Sequence, residues 1–203
     1  AGSINATGDS DPNLLVGNDS NNRIDGGAGV DTMQGGIGSD IYIVDSAGDR
    51  VIEALAEGTD DVIYSTVSID LDTQSPSPAG ATEQHIEKVV LNNVLDSSGN
   101  AIAGLSITGN QFNDDLHGNT GDNSLFGDAG DDALYGHAGA DSLLGGDGDD
   151  VLQGGAGADS LLAGADDDHL YGSSSAEPSA SVSAINGSVP AVLSSLSDKP
   201  SPS

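Results

Sequence analysis

The stretch GGDGDDVLQGGAGADSLL, Gly145 to Leu162, repeats itself after nine residues. Split there, GGDGDDVLQ and GGAGADSLL place Asp150 and Asp159 sixth and Leu152 and Leu161 eighth. Carrying the frame outward from Gly109 gives GNQFNDDLH, GNTGDNSLF, GDAGDDALY, GHAGADSLL, the two quoted repeats and AGADDDHLY, seven nonapeptides without a gap. The sixth place holds Asp114, Asn123, Asp132, Asp141, Asp150, Asp159 and Asp168, and the eighth is leucine in all seven. A fixed short period of this kind marks a stacked repeat architecture.

A shorter block keeps the same frame: GDSDPNLLV from Gly8, GNDSNNRID from Gly17, GGAGVDTMQ from Gly26 and GGIGSDIYI from Gly35. Its sixth places are Asn13, Asn22, Asp31 and Asp40, and its eighth are Leu15, Ile24, Met33 and Tyr42. The apolar slot is kept while the acidic one begins as amide.

Local chemistry turns the pattern into a coil. Gly, Asp and Asn tolerate positive φ, so the first six residues form a turn. The last three form a short strand in which the middle side chain points inward. Two nonapeptides close one coil, so the turns of repeats n and n+2 stack on one edge at the ~4.8 Å spacing of neighbouring strands. Stacked carboxylates that close repel by about 3 kcal/mol per pair at an effective dielectric near 20. Together with backbone carbonyls they line a gap that suits Ca²⁺, which takes ~6–8 oxygen ligands at ~2.3–2.6 Å.

Composition points the same way. The 203 residues carry a formal charge of −29 from 33 acids against four Lys+Arg, with 30 glycines, no cysteine and only 3% aromatic residues. Such a charge repels nucleic acid and attracts cations. Five acids are glutamate and the rest aspartate, whose short arm suits oxygen cages held near the backbone. The absence of cysteine removes thiolate metal sites and cysteine nucleophiles. No apolar run approaches the ~20 residues of a membrane span. No G-x-S-x-G is present, and neither lysine sits in a phosphate-binding loop. The four histidines, His85, His117, His137 and His169, lack zinc-ligand spacing and are expected to be solvated.

The motif G-G-x-G-x-D-x-U-x, with U a large apolar residue, resembles the RTX or haemolysin-type calcium-binding repeat of secreted bacterial proteins. The resemblance covers residues 8–43 and 109–171. It implies an all-β, right-handed parallel β-roll (a β-solenoid), several Ca²⁺ ions in the turns, and export through a type I secretion system. The candidate calcium-site residues are Asp31, Asp40, Asp114, Asp132, Asp141, Asp150, Asp159 and Asp168. With them go the turn glycines Gly127, Gly130, Gly145, Gly146, Gly148, Gly154, Gly155 and Gly157. Asn13, Asn22 and Asn123 replace the acid, His137 replaces the second glycine, and Ala163 and Asp166 replace turn glycines, which puts the sites built on those turns in question.

The frame divides the chain into a short block, 1–43, a β-rich spacer, 44–108, a main block, 109–172, and a Ser/Pro-rich linker or disordered tail, 173–203. In the spacer, Val62-Ile63, the alternation Val67, Ile69, Leu71, and Val89-Val90 read as strands that continue the stack with longer coils, and Pro76 and Pro78 mark a surface loop. Most of the calcium is expected in 109–171, with Asp114 at the edge of its block and Asp150 inside it. Two functions fit. One is a non-catalytic calcium-binding segment, structural or adhesive, of a large secreted or cell-surface protein with further domains. The other is the C-terminal export and folding module of a secreted protease, lipase or epimerase.

Overall fold

The computed structural model describes residues 2–53, 60–71, 86–93, 95, 99, 102–172 and 181–183. The described chain is all-β, and every pairing between its named strands is parallel, as a coil that always advances in one direction requires. Strands fall alternately on two faces. One face is a nine-stranded sheet of β1 (Asn5–Thr7), β3 (Arg23–Asp25), β5 (Ile41–Val44), β7 (Val62–Ser65), β9 (Lys88–Leu91), β11 (Asp115–His117), β13 (Ala133–Ala138), β15 (Val151–Ala156) and β17 (His169–Tyr171). The opposite face is split. A three-stranded sheet holds β2 (Leu14–Val16), β4 (Thr32–Gln34) and β6 (Arg50–Ile52). A six-stranded sheet holds β8 (Ile69–Asp70), β10 (Leu105–Thr108), β12 (Asn123–Ala129), β14 (Ser142–Asp147), β16 (Ser160–Ala165) and β18 (Ser181–Ser183).

Within each block the register advances by two nonapeptides per coil: Arg23 faces Ile41, and Ala133 faces Val151. Across the spacer the coils lengthen. Ile41 faces Val62, Val62 faces Lys88 and Lys88 faces Asp115, so the nine-stranded sheet runs from block to block without interruption. The three strand readings in the spacer correspond to β7, β8 and β9, although Val67 itself lies between strands. The loop at Pro76 and Pro78 lies outside the described residues.

The core has two files, one from each face. Ile24, Met33, Tyr42, Val51, Ile63, Val89 and all seven eighth-place leucines are buried, none of the residues directly before or after them in their strands is, and together they form one cluster. Each such side chain contributes about 2–3 kcal/mol on burial. Parallel stacking puts it against the equivalent residue of the next coil, so the core is as long as the stack and thin, with one inward side chain from each face of a coil in the repeat blocks.

Strand length departs from the three residues expected per repeat. In the main block β13, β14, β15 and β16 run six residues and take in the start of the following turn. The reason is that the glycine-rich turns also pair coil to coil, with Asp128 facing Gly146 and His137 facing Gly155. The segment 173–203 also departs from the expected linker at one place: Ser181–Ser183 pair with β16, Leu161 facing Val182, and so satisfy a strand edge that would otherwise be open. The remainder of that segment lies outside the described residues.

Candidate calcium site

The sixth-place aspartates other than Asp114, whose Oδ2 accepts the N–H of Asn110 in its own turn, put one oxygen to the same structural task. That oxygen accepts the backbone N–H of the sixth residue one coil earlier. On one edge Asp114 N–H donates to Asp132 Oδ1 (2.8 Å), Asp132 N–H to Asp150 Oδ1 (2.9 Å) and Asp150 N–H to Asp168 Oδ1 (3.1 Å). On the other, Asn123 N–H donates to Asp141 Oδ1 (2.8 Å) and Asp141 N–H to Asp159 Oδ1 (3.1 Å). The first block repeats this with Asn13 to Asp31 (2.8 Å) and Asn22 to Asp40 (2.5 Å).

The second oxygen is buried and orphaned. Oδ2 of Asp31, Asp40, Asp132, Asp141, Asp150 and Asp159 has no hydrogen-bond partner although these residues are almost wholly withdrawn from solvent. A buried carboxylate oxygen left in this way costs free energy unless a proton or a cation meets it. Burial pushes the carboxyls of Asp141 and Asp150 up to about 7 and that of Asp132 up to about 6. It also raises Asp159 and Asp168.

Glycine makes room for this arrangement at three places of the repeat. At the first place, a Cβ on Gly127, Gly145 or Gly154 would collide with Oδ2 of Asp132, Asp150 or Asp159 in the same turn. At the second and fourth, a Cβ would run into a carbonyl oxygen of the turn stacked beneath: Asp128 for Gly146, Gly130 for Gly148, His137 for Gly155 and Gly139 for Gly157. The carbonyls of places two and four therefore point along the stack toward the next turn. Gly157→Ala combines that collision with a φ of 142°, and we expect it to unfold the main block locally, costing more than about 2 kcal/mol. Chemical denaturation in millimolar calcium checks it; a midpoint equal to wild type contradicts the close approach.

The substituted turns behave less differently than their composition suggests. Asp128 (φ 83°), His137 (φ 73°) and Asp166 (φ 75°) hold the left-handed conformation that glycine would take, as Asp and His do more readily than most residues. Asn22 is a real departure. Its Nδ2 donates to Asn18 O (2.9 Å) and to Asp40 Oδ1 (3.0 Å), so an internal amide N–H occupies ground where a second carboxylate would otherwise face Asp40.

The ladder also recruits residues that the nonapeptide frame did not select. Asp31 N–H donates to Asp49 Oδ1 (3.0 Å), Asp40 N–H to Asp61 Oδ1 (2.7 Å) and Asp61 N–H to Glu87 Oε2 (2.6 Å). The signal was present: Asp49, Asp61 and Glu87 each stand two residues before a buried apolar side chain, Val51, Ile63 and Val89. Consequently Asp114 does not stand at an edge, contrary to the reading from its block, because β9 pairs with β11 on the side away from β13. The histidines also differ from expectation. His117 stacks on Tyr135 with ring centroids 4.6 Å apart and lies 3.2 Å from the His137 ring nitrogen. It also meets Asp115 at 2.8 Å and Lys88 at 2.8 Å. Burial opposes ionisation of Asp115, but the hydrogen bonds from His117 and Lys88 hold its carboxyl below the usual range. His169 is exposed, and His85 lies outside the described residues.

Two stacked turns thus present buried carboxylate oxygens and aligned carbonyls with no basic partner among them. This oxygen-only set fits Ca²⁺, and the residues that would hold it in the main block are pairs such as Asp132 with Asp150 and Asp141 with Asp159, with the carbonyls of places two and four. Among the described residues no helix is long and apolar enough to cross a membrane. No curated protein matches the chain. The family described as RTX calcium-binding nonapeptide repeat (4 copies) matches at residues 7–42, 108–143 and 144–175, about half of the chain and both blocks. With repeats, parallel β-roll and oxygen-lined turns in agreement, the chain belongs to the RTX calcium-binding nonapeptide repeat family.

Proposed function

We propose that this chain is a non-catalytic calcium-binding β-roll that folds on Ca²⁺ outside the bacterial cell, after export through type I secretion machinery, and serves as a structural or adhesive segment of a larger secreted protein. The orphaned Oδ2 of Asp31, Asp40, Asp132, Asp141, Asp150 and Asp159 supports the calcium reading. The rod-like reading is favoured by the nine-stranded sheet, which carries one stack through both blocks and the spacer. A linear stack of this kind gains stiffness from neighbour contacts and separates whatever lies at its two ends.

Acidity tests the burial of the carboxyls assigned to the site. Because burial raises the folded-state pKa of Asp132, Asp141 and Asp150 toward 6–7 from 3.8, the calcium-free fold binds more protons than the unfolded chain between those values. Its stability therefore rises as pH falls through about 7 and is lost as pH rises through it. Far-UV circular dichroism of the calcium-free chain should show more β-structure at about pH 5.5 than at about pH 8.5. The same β-content at both pH values contradicts the burial of these carboxyls.

A further inference from the structure

We infer that His117 and His137 hold a Zn²⁺ ion on the outer surface of the nine-stranded sheet, a site of different chemistry from the oxygen-lined turns. The two residues stand 20 apart in the chain, which is no linear zinc motif. The coil brings them together. His117 faces Tyr135 across the sheet, and His137 stands two residues further along β13, so all three rings share the outward face. His137 turns its carbonyl oxygen toward Gly155 in the stacked turn and its imidazole toward His117, so the two kinds of site use different atoms.

The separation of the rings suits one ion. His117 Nδ1 lies 3.2 Å from His137 Nε2. Two imidazole nitrogens bound tetrahedrally to one Zn²⁺ at ~2.0–2.1 Å stand ~3.3–3.4 Å apart, whereas neighbouring nitrogens of a square-planar copper site stand ~2.9 Å apart. Without an ion the rings share a proton, the Nε2–H of His137 pointing at the lone pair of His117 Nδ1. Zn²⁺ takes the place of that proton when His137 carries its hydrogen on Nδ1 instead, and both rings stay neutral.

The surroundings favour an ion at this point. On its far side the His117 ring meets Asp115 Oδ1 through Nε2 at 2.8 Å, and the hydrogen bonds of His117 and Lys88 keep that carboxyl ionised. An anionic oxygen there favours the ring proton on Nε2 and leaves Nδ1 as a bare lone pair aimed at His137. A carboxylate in that position is the common support of a zinc-bound histidine, since it fixes the tautomer and raises the basicity of the ligating nitrogen. The Lys88 ammonium, 2.8 Å from the same Nε2, is paired with Asp115, so no net positive charge opposes a cation. Desolvation first, and then the neighbouring His117 and Lys88, hold the His137 imidazole below its usual range, which keeps it neutral as a metal ligand must be. His137 is exposed and borders an open hollow of about 310 Å³ with Asn92, Asn119 and Thr120, which leaves room for the waters that complete four-coordination. Imidazole suits zinc and calcium takes oxygen, so the pair discriminates against the ion of the turns.

Zinc titration calorimetry on the full chain in saturating calcium, with the turns filled, should find one Zn²⁺ equivalent that disappears in His117→Gln. The substitution keeps a polar side chain at a place outside the calcium turns, and circular dichroism in the same buffer shows whether the variant is folded. No zinc equivalent in wild type, or one of equal affinity in the folded variant, overturns the site and leaves the rings as a strand-to-strand hydrogen bond. Should the variant fold poorly, a measurement on wild type decides. Co²⁺ in place of Zn²⁺ should broaden the imidazole proton resonances of His117 and His137 and spare those of His169. Equal broadening at His169, or none at the pair, overturns the assignment.

Discussion

In a chelator the chain is expected to lose most of its β-structure, and to regain it when calcium is raised to the millimolar range. The structure gives the reason in its carboxylates. Asp31, Asp40, Asp132, Asp141, Asp150 and Asp159 are all buried with an oxygen unmet, in a chain of formal charge −29 with four Lys+Arg in total. The cations that are seen in ion pairs serve elsewhere: Arg23 meets Asp25 at the surface, and Lys88 meets Asp115. Against this repulsion stands a thin core with one inward side chain from each face of a coil in the repeat blocks. Each site that binds only the folded chain adds about 2.7 kcal/mol at a hundredfold excess over Kd, so a few sites equal the ~5–15 kcal/mol by which ordinary domains are stable. Sites that bind at about 10⁻⁴–10⁻³ M would stay empty at micromolar calcium, so on the proposed function the chain is expected to fold only at millimolar calcium. Magnesium should not replace calcium, because it demands six ligands at ~2.0–2.1 Å and gives up water reluctantly. Far-UV circular dichroism with chelator, with magnesium and with calcium makes the comparison; the same β-content in all three sinks the idea.

The period of nine was enough to place every eighth-place leucine in the core and to stack turn n on turn n+2, because both follow from strand alternation and coil closure alone. What the period could not carry was the path through the spacer. There the register shifts from that of Arg23 with Ile41 to those of Ile41 with Val62 and Val62 with Lys88, neither of which is a multiple of nine, so counting in nines fails. The element that persists is smaller than the repeat: a carboxylate two residues before a buried apolar side chain, as in Asp61-Val62-Ile63 and Glu87-Lys88-Val89. The division of labour within each aspartate was also invisible in sequence. A carboxylate every ninth residue suggests two free ligand oxygens per turn, whereas one is already committed to a backbone N–H. Nor did the substituted turns show in sequence what backbone they would take: Asp128, His137 and Asp166 hold the left-handed φ that glycine would.

That commitment sharpens what loss of one carboxylate should do. Asp150 accepts the N–H of Asp132, and its own N–H is taken by Asp168, so it is a middle rung. It also has a stacked turn on each side, 127–132 beneath and 163–168 above, the latter keeping glycine only at Gly164, and so belongs to two turn pairs. Asp150→Ala leaves the buried Asp132 N–H without an acceptor, which costs about 1–3 kcal/mol before any ion is counted. It then removes a ligand oxygen from both pairs. Asp132→Ala is equivalent in each respect, because Asp132 accepts from Asp114 and donates to Asp150. Asp114 is also within the stack, since β11 is paired to β9 and β13, but its turn carries Asn110 and Phe112 at the second and fourth places and has one glycine turn beside it. Asp114→Ala therefore weakens one turn pair and interrupts the sheet's continuity instead of merely fraying an end. We expect the calcium midpoint of folding to rise by roughly three- to tenfold for Asp150→Ala and Asp132→Ala, where tenfold corresponds to about 1.4 kcal/mol, and by a clearly smaller factor for Asp114→Ala. A calcium titration followed by circular dichroism on the three variants decides it. Should all three midpoints coincide with wild type, neither the ladder nor the ion depends on the sixth-place carboxylates, and the pairing of turn n with turn n+2 through them is wrong.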